Sequence, residues 1–204
     1  MLLGQLSDKG VNVFNINPID TTITDIYAKG LLPQRNKKNI YYQESSSRSN
    51  LEKYNLSSEN KRILNKTNEF TFEILPIFFD LNIQKTIFSW LKTLKWNFPM
   101  SSVKTIFTKH IFNYLYIWYD KNHNIVAYSV CYFDNTISHI AYVFYNPIYD
   151  HSNLPIRLVL QTIIDSKEKN LKYCYLGRFS KDTGYYKRNM PGFEYFEKNT
   201  WRSL

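Results

Sequence analysis

The clearest hydrophobic pattern lies in the second half of the chain, where strand-like and helix-like periods follow one another. Residues 112–119, 125–133 and 137–145 are runs of aromatic and β-branched residues separated by short polar turns, which predicts three antiparallel strands. The next segment has apolar residues at the spacing of one helix face, and these are Ile156, Val159, Leu160, Ile163 and Ile164. Residues 173–179 then form a short apolar run, which predicts a returning strand.

The helix between the last two of these strands decides how they pair. A strand, a helix and a second strand in succession form a right-handed crossover, which places the two strands in parallel. We therefore predict an α+β fold with a mixed, mostly antiparallel sheet flanked by helices. This order of elements resembles the core of the GNAT acyltransferase fold. The resemblance implies that acyl transfer is feasible, but it names no substrate.

Weaker patterns occupy the first half of the chain. They predict helices at residues 22–28, 56–66 and 83–94 and strands at residues 40–43 and 70–77. The second of these helices begins at a serine cap and presents a basic exposed face.

Two segments of this half leave the organisation of the chain open. The serine-rich residues 45–50 are compatible with a flexible linker by composition, or with a strand. Residues 100–102 are expected to form a break before the core. We therefore divide the chain into residues 1–100, a portion packed on the core as a companion lobe, and residues 101–204, the core with a basic, aromatic C-terminal segment.

The composition points to the class of partner. A formal net charge of +9 and a pI near 9.4 favour a polyanion, with nucleic acid ahead of an anionic membrane surface, although a solvated basic surface explains the total equally well. Cys131 and Cys174 lie in predicted strands and read as buried, reduced thiols. No signal peptide and no bilayer-spanning stretch is apparent, so we expect a cytoplasmic protein with no membrane partner.

Several segments together resemble the arginyl-tRNA–protein transferase family and its bacterial leucyl-transferring relatives. The clearest is residues 138–147, Ser-His-Ile-Ala-Tyr-Val-Phe-Tyr-Asn-Pro, which is similar to a family strand that ends in an aromatic residue, Tyr, Asp and Pro. The resemblance extends over most of the chain from Leu32 to Phe196. The other matching segments are residues 171–177, Tyr186 with Lys187, and, in the N-terminal half, residues 42–48 and 56–64.

Two features depart from the family. Its N-terminal cysteine cluster, associated with an iron–sulfur or other metal site, is missing, because no cysteine precedes Cys131. Asn146 stands where the family usually has Asp. The four histidines have no metal-ligand spacing. We therefore expect neither a metal nor another cofactor, and a related but divergent activity remains open.

The resemblance implies transfer of an amino acid, Arg or Leu, from a charged tRNA to the N-terminal α-amine of an acceptor protein, with an acidic acceptor residue favoured. This reaction does not need a nucleophile from the enzyme. An aminoacyl ester is already activated, and an α-amine with a pKa of about 8 is partly neutral at pH 7. Orientation of the reactants and stabilisation of the oxyanion by main-chain N–H groups would supply most of the catalysis.

Candidate binding residues follow from the matched segments. Arg35 and Arg48 are candidates for contact with the tRNA acceptor end or an acidic acceptor residue, and ordinary surface arginine is the alternative for each. For the tyrosines near strand ends, the alternative to ligand binding is burial in the core. For the aromatic residues of the C-terminal segment, the alternative is that they anchor a loop to the core. The remaining candidates are Tyr145, Tyr175, Gly177, Tyr186 and Lys187.

Two other functions compete with this one. A CoA-dependent GNAT acyltransferase normally holds the pyrophosphate on a glycine-rich loop before the central helix, whereas residues 146–155 contain no glycine, an Asp and two prolines. A non-catalytic RNA-binding protein on the same fold would bind tRNA with a steep salt dependence and transfer nothing.

Overall fold

The computed structural model describes residues 4–6, 12–16, 21–34, 39–43, 45–108, 111–180 and 184–204. Its helices are α1 (Ile23–Ala28), α2 (Ser58–Lys66), α3 (Leu81–Thr93), α4 (Met100–Thr108) and α5 (Leu154–Glu168). Its strands are β1 (Gly4–Leu6), β2 (Asn12–Asn15), β3 (Leu31–Pro33), β4 (Ile40–Gln43), β5 (Ser46–Asn50), β6 (Thr71–Pro76), β7 (Tyr114–Tyr119), β8 (Ile125–Phe133), β9 (Ile137–Tyr145), β10 (Tyr173–Arg178), β11 (Phe193–Glu197) and β12 (Thr200–Ser203).

An eight-stranded sheet dominates the molecule, in the order β12-β11-β5-β10-β9-β8-β7-β6. Neighbouring strands in the described part of this sheet run antiparallel, except that β9 and β10 are parallel and are joined through α5. The predicted fold class is therefore confirmed, as are the three-stranded meander, the central helix and the returning parallel strand.

Helices cover both faces of this sheet because side chains alternate along its strands. On β7, Tyr116 and Trp118 pack toward the core under α2 and α5, while Leu115 and Ile117 pack toward α3 and α4. Among the described helices none is both long and apolar enough to cross a bilayer.

A second sheet, in the order β1-β2-β4-β3, packs with α1 beside the larger one. Tyr27 of α1 is fully buried and contacts Ile137 and Tyr175 of the large sheet. Thr22 caps α1, since its hydroxyl accepts the N–H of Asp25 at 3.1 Å. The small sheet and α1 therefore border the β9/β10 region through Leu32 of β3, Tyr42 of β4 and Tyr27 of α1.

The serine-rich segment is a strand, so its reading as a linker is wrong. All five residues of β5 are buried, and the strand lies between β10 and β11. Two of its three serine hydroxyls donate to main-chain oxygens: Ser47 donates to the Gly177 carbonyl at 2.8 Å and Ser49 donates to the Pro191 carbonyl at 2.5 Å. These local bonds let a polar strand occupy the interior.

Residues 100–102 do not break the chain, because they form the first turn of α4. Gln84 of α3 donates to the Met100 carbonyl at 2.9 Å and ties the two helices together. Strands β5 and β6 come from the first hundred residues yet belong to the large sheet. The proposed division of the chain at residue 100 stays a prediction.

Candidate active site

The parallel strands β9 and β10 pair over a short length and then separate. Their paired residues run from Tyr173 opposite Ile137 to Tyr175 opposite His139, whereas β9 continues to Tyr145. Beyond His139 the edge of β9 that faces β10 pairs with none of the described strands. An unpaired strand edge presents main-chain N–H and C=O groups, so these groups line a wedge-shaped cleft.

A bulge in β9 adjoins the point of separation. Ile140 pairs with Cys131 and Tyr142 pairs with Val130, so Ala141 is the extra residue on β9. A bulge bends its strand and redirects the neighbouring side chains. The small Ala141 side chain of this bulge lines the cleft.

Two cavities meet at this cleft. One of about 220 Å³ is bordered on its outer side by Trp96, Phe98 and Tyr186. The other, of about 190 Å³, is bordered by Leu32 of β3 and by His139. Both cavities are also lined by Ala141, Tyr142, Leu176 and Lys187. Two reactants could therefore approach the same point from different sides.

Gly177 keeps that point open. Its φ of +76° lies in the left-handed region, which favours glycine. A Cβ at this position would lie 3.8 Å from His139 Nε2 and 3.8 Å from Lys187 Nζ. The glycine thus allows an imidazole and an ammonium group to border the same small space.

Lys187 projects into the cleft from a 3-10 helix, Tyr185–Asn189, that follows Gly184. Its Nζ donates a hydrogen bond to the Arg178 carbonyl at 2.7 Å. Burial lowers the pKa of Lys187 from 10.5 to about 8. A partly neutral amine beside two cavities can accept a proton during a reaction.

His139 connects the cleft to the small sheet. Its Nδ1 lies 2.6 Å from the Tyr27 hydroxyl oxygen, and both side chains are buried. Burial raises the pKa of Tyr27 well above its ordinary value, so the phenol keeps its proton in the physiological range. The bond fixes the imidazole at the vertex of the two strands.

Three of the seven predicted binding residues, Gly177, Tyr186 and Lys187, meet at the cleft. Tyr186 is 40% exposed, so its ring is accessible to a ligand. Tyr145 is buried at the far end of β9, donates to Asp150 at 2.7 Å and packs edge-on against Trp96. Tyr145 therefore packs against Trp96, a residue that lines the cleft, and does not line the cleft itself.

The other predicted residues do not join this group. Tyr175 is fully buried and packs against Tyr27, 4.8 Å between ring centroids. Arg48 is buried, forms a two-pronged ion pair with Glu194 at 2.7 and 2.9 Å, and lies against the Trp201 ring. Its charge is already neutralised within the sheet. Arg35 lies outside the described residues.

The loop between β9 and α5 uses its own N–H groups internally. The Asn146 side chain accepts the N–H of Ile148, and the Ser152 hydroxyl accepts the N–H of Leu154. Asp150 adds a carboxylate at the same place. Donors that would cradle a pyrophosphate in a glycine-rich loop are thus occupied here.

Sequence reasoning missed several lining residues, chiefly His139, Ala141, Trp96 and Phe98. The one available signal was the position of a small alanine among bulky residues in β9. Trp96 and Phe98 come from a distant loop, so no local pattern marks them. Within the described ranges no three His, Cys, Asp or Glu side chains come together in a metal-binding group.

Comparison with solved structures returns proteins of low sequence identity to this chain. L-PGS of Bacillus licheniformis matches at 14% identity and a TM-score of 0.47, over 69% of this chain and 47% of that one. A GCN5-related glucosamine N-acetyltransferase region of a fungal multi-domain β-N-acetylglucosaminidase matches at 11% and 0.49, over 74% and 19%. An aminoglycoside acetyltransferase from an uncultured soil metagenomic sample matches at 16% and 0.42, over 61% and 89%.

These similarities concern the fold alone. The chain spans about half the length of L-PGS. No protein-family model matches the sequence, and no curated protein sequence matches it. The chain has a GNAT-like fold. That assignment rests on the strand order, the parallel β9/β10 pair and the cleft between them.

Proposed function

We propose that this protein is an acyltransferase that moves an aminoacyl group from a charged tRNA to the N-terminal α-amine of a protein or peptide. The observation that carries the proposal is the cleft at the β9/β10 separation, where two cavities meet beside Gly177 and Lys187. One cavity receives the ester and the other receives the amine.

The reaction requires positioning and one proton acceptor. The amine nitrogen attacks the ester carbonyl, and the resulting oxyanion is stabilised by main-chain N–H groups on the unpaired edge of β9. Lys187 Nζ accepts the proton that the amine loses. When the intermediate collapses, the C–O bond to the ribose breaks and the proton passes to the departing ribose oxygen. An amide forms, and no covalent enzyme intermediate is needed.

The loop before α5 supports an aminoacyl-tRNA donor over an acyl-CoA donor. Its N–H groups are engaged by Asn146 and Ser152, and the Asp150 carboxylate would repel a pyrophosphate. The sequence resemblance to aminoacyl-tRNA–protein transferases agrees with this choice. The GNAT-like fold by itself fits an acyl-CoA donor equally well, so a CoA-dependent acyltransferase is the second candidate.

A donor comparison tests the proposal. Purified protein is incubated with a peptide that begins with Asp or Glu, together with arginyl-tRNA, leucyl-tRNA or acetyl-CoA, and the peptide mass is measured. We expect addition of one amino acid from a charged tRNA. Addition of an acetyl group alone would select the CoA-dependent enzyme. Tight tRNA binding without any product would select the non-catalytic RNA-binding protein.

A further inference from the structure

The surface formed by α3 and α4 has an unusual charge pattern. No Asp or Glu occurs between Asp80 and Asp120. Within the described part of this stretch the cations are four exposed lysines, Lys85, Lys92, Lys95 and Lys104. None of the four forms an ion pair with another described residue. We call these four side chains the lysine surface.

Helix geometry gives this surface a direction. Lys85 and Lys92 are seven residues apart on the exposed side of α3, which separates them by about 10 Å along the axis. At the end of α3, Lys95 has a φ of +56° and donates its N–H to the Lys92 carbonyl at 3.1 Å. The N–H of Trp96 donates to the Leu91 carbonyl at 3.0 Å. These two bonds form a Schellman motif, which turns the chain after the lysines.

Trp96 joins the lysine surface to the cleft. Its side chain is 46% exposed, yet it lines the cavity of about 220 Å³ that also contains Lys187. Phe98 lines the same cavity and packs edge-on against Phe144 at 5.7 Å. Along α3, Lys85 and Lys92 therefore lead to Lys95 and to the exposed indole of Trp96 at the cavity.

We propose that the lysine surface binds the phosphate backbone of an RNA whose terminal nucleotide stacks on Trp96 at the cleft. The inference deepens the proposed function, on which its choice of donor rests. Four exposed lysines on and beside two helices whose own sequences contain no Asp or Glu attract a polyanion, and an aromatic side chain after α3 provides a base-stacking platform. The 10 Å between Lys85 and Lys92 corresponds to about three steps of a stacked strand at 3.4 Å each.

An anionic membrane is the competing partner for exposed lysines. Leu81 and Met100 are also exposed on these helices, 60% and 37%, and would suit a lipid surface. A membrane, however, does not account for the position of Trp96 in the wall of the cleft cavity. An RNA end that enters the cleft accounts for both the charge and the indole.

Salt-dependent binding of full-length protein to labelled, uncharged tRNA tests the inference by fluorescence anisotropy. The test variant replaces Lys85, Lys92, Lys95 and Lys104 with Gln. The matched control removes the same charge elsewhere, with Gln at Lys29, Lys121, Lys169 and Lys198, which are exposed after α1, at the β7–β8 turn, after α5 and at the β11–β12 turn. The slope of log K against log salt is negative, and each lost phosphate contact reduces its magnitude by about 0.7 to 0.9.

We expect the magnitude of this slope to decrease by about 3 in the test variant and by less than 1 in the control. Trp96→Phe should remove the tryptophan fluorescence quenching caused by tRNA. Three results would each overturn the inference. The test variant could have the same slope as the wild type, or the slope of the control could change as much as that of the test variant. The third result is binding to phosphatidylglycerol vesicles with no binding to tRNA. Normal RNA results with no amino-acid transfer would contradict only the proposed function.

Discussion

Replacement of Lys187 by Met removes the proton acceptor that the proposed reaction needs. Burial lowers the pKa of Lys187 from 10.5 to about 8. About a tenth of these side chains is therefore neutral at pH 7, against roughly one in 3,000 for an ordinary lysine. Because positioned general bases contribute about 10²- to 10⁴-fold, we expect kcat/KM for transfer to fall at least about 100-fold.

The pH dependence separates this role from a structural one. The acceptor amine has a pKa of about 8, and Lys187 titrates in the same range, so both must lose a proton before reaction. Below pH 7 the slope of log kcat/KM against pH should approach 2 for the wild type and 1 for Lys187→Met. Lys121→Met, in the turn between β7 and β8, is the control and should keep the wild-type slope.

Stability offers a second readout for the same variant. Between pH 8 and 10.5 the unfolded chain holds a proton on Lys187 that the folded chain has lost, so stability rises with pH in this window. Urea unfolding of Lys187→Met should lack that rise. An unchanged transfer rate, or a slope of 2 that persists in Lys187→Met, would refute the assignment of Lys187 as the proton acceptor.

Three further outcomes are expected. Gly177→Ala places a Cβ on a residue with a φ of +76°, so it should lower the free energy of unfolding in urea by about 1–2 kcal/mol and slow the transfer reaction. An unchanged urea midpoint would show that this backbone conformation does not strain an alanine. Arg48→Met removes one of the two cations paired with the buried Glu194 carboxylate and leaves Lys53 and Asn50 on its other oxygen; it should cost about 1–3 kcal/mol, part of which Glu194→Gln should restore in the double variant. Burial raises the pKa of Cys131 and, to about 11, that of Cys174, so a thiol reagent should label them only after denaturation; rapid labelling of folded protein would disprove this.

The core of the fold could be predicted because the residues of each strand and helix show a recognisable hydrophobic pattern of their own. Strands β7, β8 and β9 are dense in aromatic and β-branched residues, and α5 shows an apolar stripe at helical spacing. Strand β5 could not be predicted from its own residues, Ser-Ser-Arg-Ser-Asn. It is a strand because β10 and β11 pair with it on both sides and the hydroxyls of Ser47 and Ser49 donate to main-chain oxygens.

The candidate site was only partly visible in the sequence. Gly177, Tyr186 and Lys187 came from matched motifs, and the structure brings them to one cleft. Arg48 came from the same reasoning but is held inside the sheet by Glu194. The bulge at Ala141 depends on the register between two strands, which composition does not reveal.

The place of β5 in the sheet has a consequence for biosynthesis. Both of its neighbours, β10 and β11, are translated more than 120 residues after it. The nascent chain must therefore hold a polar strand with unmatched edges until these later strands have been made. Contacts so distant in sequence slow folding, so we expect the two sides of the sheet to join in a late folding step.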